Sequence, residues 1–145
     1  MTIEQISVFL ENKPGRLAEV TKIMGDAGVD LRAMSLADTA DFGVLRLMVN
    51  DPEKTLELLR AAGCVVSVTP VLAVCIADKP GSLAEVLSVL ADAGVSVEYS
   101  YASITRKKDN AYVIFRVDDN GRALEAFAKH GITAASAKDL FNGAE

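Results

Sequence analysis

Hydrophobic and polar positions along this chain follow two alternating periods, and the periods switch in a fixed order. Ile3–Leu10 puts Ile6, Val8 and Leu10 on one face and Ser7 and Phe9 on the other, the period-two pattern of a strand. Leu17, Val20, Met24 and Ala27 then form one stripe while Glu19, Lys22 and Asp26 point away, which predicts a helix over 16–27. Gly28 supplies its stop. Strands are predicted over 29–36 and 44–49, turned by Asp38-Thr39-Ala40-Asp41. Asn50-Asp51-Pro52 opens a second helix, with Pro52 early, where its missing N–H costs nothing. Leu56 and Leu59 line its inner face, Gly63 ends it, and Cys64–Val68 reads as a fourth strand.

The second half repeats the first. Aligning 12–31 with 78–97 without gaps pairs identical residues at Lys13/79, Pro14/80, Gly15/81, Leu17/83, Ala18/84, Glu19/85 and Val20/86, and again at Asp26/92, Ala27/93, Gly28/94 and Val29/95. Beyond that the offset grows from 66 to 68, matching Leu56 to Leu124, Glu57 to Glu125 and Gly63 to Gly131. The two extra residues fall near Arg106-Lys107-Lys108-Asp109-Asn110, which reads as a solvated hairpin tip. Copy two therefore predicts a strand at 71–77, a helix at 82–93 and strands at 95–104 and 111–117. A helix at 121–129 and a short last strand near 132–137 complete it.

A β-α-β-β-α-β order stated twice predicts an α+β fold of two ferredoxin-like units, 1–69 and 70–145, each an antiparallel sheet with both helices on one face. Pro70 lies between the copies with no linker to speak of, so the sheets are expected to join edge to edge, through their second strands. The other sheet face would carry Ser7, Phe9, Val44, Arg46 and Met48 in copy one and Ala73, Cys75, Tyr112, Ile114 and Arg116 in copy two. That face is too apolar to leave in water, which predicts packing on another chain and hence a homodimer.

Composition narrows the function. The 145 residues are 50% hydrophobic with a net charge of −5, a balance of an ordered protein with no affinity for nucleic acid or an anionic membrane. The topology is shared with RNA-recognition modules, but Phe9 and Tyr112 are too few aromatics for that chemistry in an acidic protein. No apolar run approaches the ~20 residues of a membrane span, and the N-terminus lacks a signal-peptide pattern, so a cytoplasmic location is expected. Cys64 and Cys75 sit in apolar strands and read as reduced core residues.

No catalytic residues, metal ligands or cofactor site emerge. His130, the sole histidine, stands at a helix end, where it complements the dipole. Asp51 and Asp118-Asp119 stand at helix starts as caps. What remains is the repeated Lys-Pro-Gly loop. A strand-to-helix turn presents free N–H groups and partial positive charge, fit for a small carboxylate. Gly15 and Gly81 allow close approach to the backbone, and Asn12, Asp78, Asp30 and Ser96 add side-chain oxygens for an ammonium. Gly28-Val29-Asp30 is expected to return beside the loop.

Asn12-Lys13-Pro14-Gly15-Arg16-Leu17-Ala18-Glu19-Val20, then a helix, then Ala27-Gly28-Val29-Asp30-Leu31, resembles the ACT domain, and both copies carry the pattern. The chain is most similar to proteins made of two ACT domains without a catalytic domain. The resemblance implies a non-catalytic, allosteric regulator that binds a free amino acid. It implies a ligand site at Asn12, Lys13, Pro14, Gly15, Arg16, Leu17, Val29, Asp30 and Leu31. In copy two it implies Asp78, Lys79, Pro80, Gly81, Ser82, Leu83, Val95, Ser96 and Val97. Arg32, Met34, Glu98, Tyr99 and Tyr101 are further candidates to line the pocket. Serine-binding members place a histidine two residues before the asparagine; Leu10 and Ile76 stand there, so serine is not implied. The alternative partner is a biosynthetic enzyme, such as an acetolactate synthase, docked on the apolar sheet face.

Overall fold

The computed structural model describes residues 1–38, 41–104 and 108–142. The chain divides into two compact units, Glu4–Thr69 and Pro70–Glu145, with Met1–Ile3 grouped with the latter. The first unit runs β1 (Ile3–Glu11), α1 (Arg16–Asp26), β2 (Leu31–Asp38), β3 (Phe42–Val49) and α2 (Pro52–Ala61). β4 (Val65–Ala77) closes it and opens the second, which continues with α3 (Ser82–Asp92), β5 (Val97–Ala102), β6 (Asn110–Val117), α4 (Asn120–Lys129) and α5 (Ala137–Asn142).

Each unit has its own core on the predicted face. In the first, Ile6, Val8, Leu10, Leu45 and Leu47 meet Val20 and Met24 of α1 and Leu59 of α2. In the second, Leu72, Val74, Val113 and Phe115 meet Val86 and Leu90 of α3 and Phe127 of α4. β3 pairs antiparallel with β1 and β2, and β6 with β4 and β5.

Several expectations need correcting. Pro70 does not break the chain into two strands: β4 runs straight through it. Its missing N–H is tolerated, and its carbonyl accepts from Arg116 Nη1 at 3.2 Å. The second strands do not join: among the described strands β2 has only β3 as neighbour and β5 only β6. The opposite sheet face is only partly open, with Val44, Arg46, Cys75 and Arg116 half-buried. Ser7 and Met48 in the first unit and Ala73, Tyr112 and Ile114 in the second are already buried in the single chain, whereas Phe9 is 52% exposed. The short last strand reduces to a bridge between Ala134 and Val74, because Ser136 ends it by capping α5. Ser136 Oγ accepts from the Asp139 N–H, and Asp139 Oδ2 accepts from the Ser136 N–H, a reciprocal cap. The centres of the two expected turns, 39–40 and 105–107, lie outside the described residues.

Candidate functional site

The Lys-Pro-Gly loops take the predicted shape. Gly15 and Gly81 sit at φ 85° and 91°, left-handed geometry that a side chain would strain, and each starts a helix of 11 residues. Neither α1 nor α3 receives a side-chain cap. The repeat's other helices do. Asp51 accepts from the Lys54 N–H at 3.1 Å, and Asp119 from the Arg122 N–H at 3.0 Å. At the head of α1 the Arg16 N–H reaches the Lys13 carbonyl and the Glu19 N–H reaches that of Gly15. Among the described residues the Leu17 and Ala18 N–H groups have no acceptor, and neither do those of Leu83 and Ala84. Two free donors at a helix head can hold a carboxylate.

In the first unit Leu17 is also one wall of a cavity of about 180 Å³, with Leu10, Glu11, Asn12, Lys13, Leu36 and Gly43. That is below the ~300–1,000 Å³ of drug-sized sites and suits a small molecule with an apolar side. Leu36, 49% exposed on the edge strand β2, forms its open lip. Lys13 is tied to Glu11 at 2.6 Å, and that bond and charge hold the Glu11 carboxyl below the usual carboxylate range. Arg16 Nη1 donates to Glu19 Oε2 at 3.0 Å, raising the arginine's already high pKa, and its Nη2 donates to Cys64 Sγ at 3.8 Å.

The residues after Gly-Val stand elsewhere. β1 ends with Glu11 opposite Phe42, while Leu31 faces Val49 at the other end of β3. Asp30 is thus separated from its own loop by the length of α1, roughly 16 Å for 11 residues at 1.5 Å each. It is half-exposed, and its carboxylate pairs with Arg32 Nη2 at 3.2 Å. Its N–H donates to Asn50 Oδ1, as that of Ser96 does to Asp118 Oδ1. Val29 and Leu31 pack on the first core and Val95 in the second, leaving Asp30, Ser96 and Val97 to face solvent. Within one unit the loop and the Gly-Val-Asp turn do not form one site. Glu98 pairs with Arg116 at 3.3 Å.

Copy two keeps one contact of the turn, since the Asp78 N–H donates to the Asp109 carbonyl as that of Asn12 does to the Asp41 carbonyl. It differs in its side chains: Leu83 is 42% exposed, and Ser82 is buried with its hydroxyl unpartnered. Sequence reasoning missed this contrast of Arg16 with Ser82, although the alignment of the copies displays it.

Residues 1–142 match the family profile of the ACT domain pair. The chain belongs to that family. Among solved structures, a protein from Bacteroides thetaiotaomicron is 35% identical over 97% of this chain and 96% of its own, with a TM-score of 0.90. The ligand-free regulatory subunit of aspartate kinase from Thermus thermophilus shares the fold at 19% identity, covering 87% of this chain and 91% of that one, with a TM-score of 0.66. Its counterpart from Thermus flavus does so at 16% identity, with 87% and 90% covered and a TM-score of 0.59. No curated protein matches the chain. In this ACT pair no described helix is long and apolar enough to cross a membrane.

Proposed function

We propose that this ACT pair is a non-catalytic regulator that binds a free amino acid at its Lys-Pro-Gly loops. One observation carries the reading: α1 and α3 begin uncapped on a left-handed glycine, while α2 and α4 of the same repeat are capped by aspartate. Natural helices satisfy those donors, so two repeated exceptions beside a small cavity favour a carboxylate guest. The Leu10, Leu17 and Leu36 wall favours an apolar or long side chain in the first unit. Because Asp30 stands a helix length away, a full ammonium clamp needs a Gly-Val-Asp turn from a second copy of the chain. Binding would then change how chains associate, which is how differential affinity becomes regulation.

The test is thermal shift with each of the twenty amino acids, on wild type, Gly15→Val, Leu36→Arg and Gly81→Val. At least one amino acid should raise the wild-type midpoint; for a ligand of the first loop Gly15→Val and Leu36→Arg should remove that rise in a folded protein, and for a ligand of the second Gly81→Val should. A rise undiminished in all three variants would place the site elsewhere.

A second reading, docking to a biosynthetic enzyme, draws on Phe9 and Phe42. Both are more than half exposed and stand on diagonal positions of one sheet face. A homodimer would cover the same pair. Sedimentation of wild type against Phe9→Ser separates the two: self-association lost in the variant assigns the patch to a second copy.

A further inference from the structure

In the second unit, β4, the first turn of α3 and the segment after α4 enclose a groove of about 440 Å³. Its walls include Val74, Ile76, Lys79, Ser82, Glu85 and Ile132. The first unit has the same three elements, with Val8, Leu10, Lys13, Arg16, Glu19 and Cys64 at the matching positions. There the protein's own arginine occupies the space. Arg16 binds Glu19 at 3.0 Å and lays its second nitrogen on Cys64 Sγ at 3.8 Å, while Lys13 is held by Glu11.

Copy two has Ser82 for Arg16 and Ala77 for Glu11, and each exchange releases a charge. Among the described residues Glu85 and Lys79 have no ion-pair partner. The Ser82 side chain is 5% exposed, lines the groove, and its hydroxyl has no hydrogen-bond partner. A buried hydroxyl in that state carries a desolvation penalty.

We infer that this groove binds a free amino acid with a cationic side chain. Its guanidinium or ammonium takes the place beside Glu85 that Arg16 takes beside Glu19. Its carboxylate lies toward Lys79 and the free N–H groups of Leu83 and Ala84 at the head of α3. Ile132, standing where Cys64 stands in copy one, gives the alkyl stem an apolar wall. The inference rests on the reading of the Lys-Pro-Gly loops as amino-acid sites. It adds the ligand class of the second one and explains why the copies differ there.

The experiment is calorimetric titration with L-arginine, with L-norvaline as a probe of similar stem and no cation. Wild type should bind L-arginine at least about tenfold more tightly than L-norvaline, the loss of one charge-assisted contact. Ser82→Arg places in copy two the residue that copy one already folds around, and it should remove that binding. Arg16→Ser should open the first groove and add a second equivalent of L-arginine. Glu85→Gln, at an exposed position, should weaken binding about tenfold or more and serves if Ser82→Arg fails to fold. L-arginine binding unchanged in Ser82→Arg and Glu85→Gln overturns the groove. If that binding, or that of another amino acid, is lost instead in Leu36→Arg, the loop reading survives without it. Binding of no amino acid at all overturns both.

Discussion

At the scale of residues, Tyr112 offers the clearest pH signature. Its side chain is 5% exposed, and burial, with Cys75 close by and Asp139 adding negative charge, pushes its phenol above the ordinary value of 10.0. A raised pKa means that the folded state holds the proton more tightly. The stabilisation is fully present below pH ~10 and is lost as pH rises through the folded-state value. Tyr112→Phe should therefore flatten the alkaline fall in urea midpoint between about pH 9 and 11. An unchanged slope would show that another group controls that limb. Gly15 is the second residue-scale lever. With φ at 85° it has room for a Cβ but not the conformation, so Gly15→Ala should cost about 1–2 kcal/mol in denaturant unfolding through strain alone.

Among the elements, the helices divide into two capped by an aspartate side chain and two that start on a left-handed glycine without one. Asp51→Ala should cost about 1 kcal/mol, because the Lys54 N–H loses its acceptor, and Asp119→Ala the same. Ala substitution of Asn12 should cost far less, since α1 has no side-chain cap to lose. Urea titrations of the three variants compare these costs directly, and equal losses would contradict the division. Much of this level was legible in the residues. Pro-Gly ahead of Leu17 and Leu83 fixed the helix starts, and the alternation at Ile6, Val8 and Leu10 fixed the buried face. Pro70 misled, because whether a strand tolerates proline depends on which neighbour needs its N–H. Ala134 misled too: its run of small residues permits a strand, but the Ser136 and Asp139 cap claims the chain for α5. Asp30 was placed beside its loop by closeness in the motif, when the rise of an 11-residue helix carries it away.

For the whole molecule, the sequence shows the twofold repeat, the family and the two cores, but not which faces stay open. The residues expected to be left bare include Met48 and Ile114, which are completely buried, while Phe9, Phe42 and Leu36 of the first unit and Leu83 and Ile104 of the second are exposed. Burial of a sheet face is a non-local property that alternation along one strand does not report. Leu47 is fully buried in the first core, so Leu47→Ala should cost about 2–5 kcal/mol in denaturant unfolding. A loss well below that range would mean that the core is looser than its burial implies. Ligand occupancy should act on the same scale: an amino acid at ~100 times its dissociation constant adds about 2.7 kcal/mol.

The most direct measurement of the central claim follows the backbone ¹⁵N–¹H resonances of the folded chain during titration with each of the twenty amino acids. For at least one of them, the Leu17 and Ala18 or the Leu83 and Ala84 amides should shift strongly and saturably as they acquire a carboxylate acceptor, while those of the capped helices α2 and α4 stay still. If no amino acid moves any of those four amides, the Lys-Pro-Gly loops are turns and nothing more.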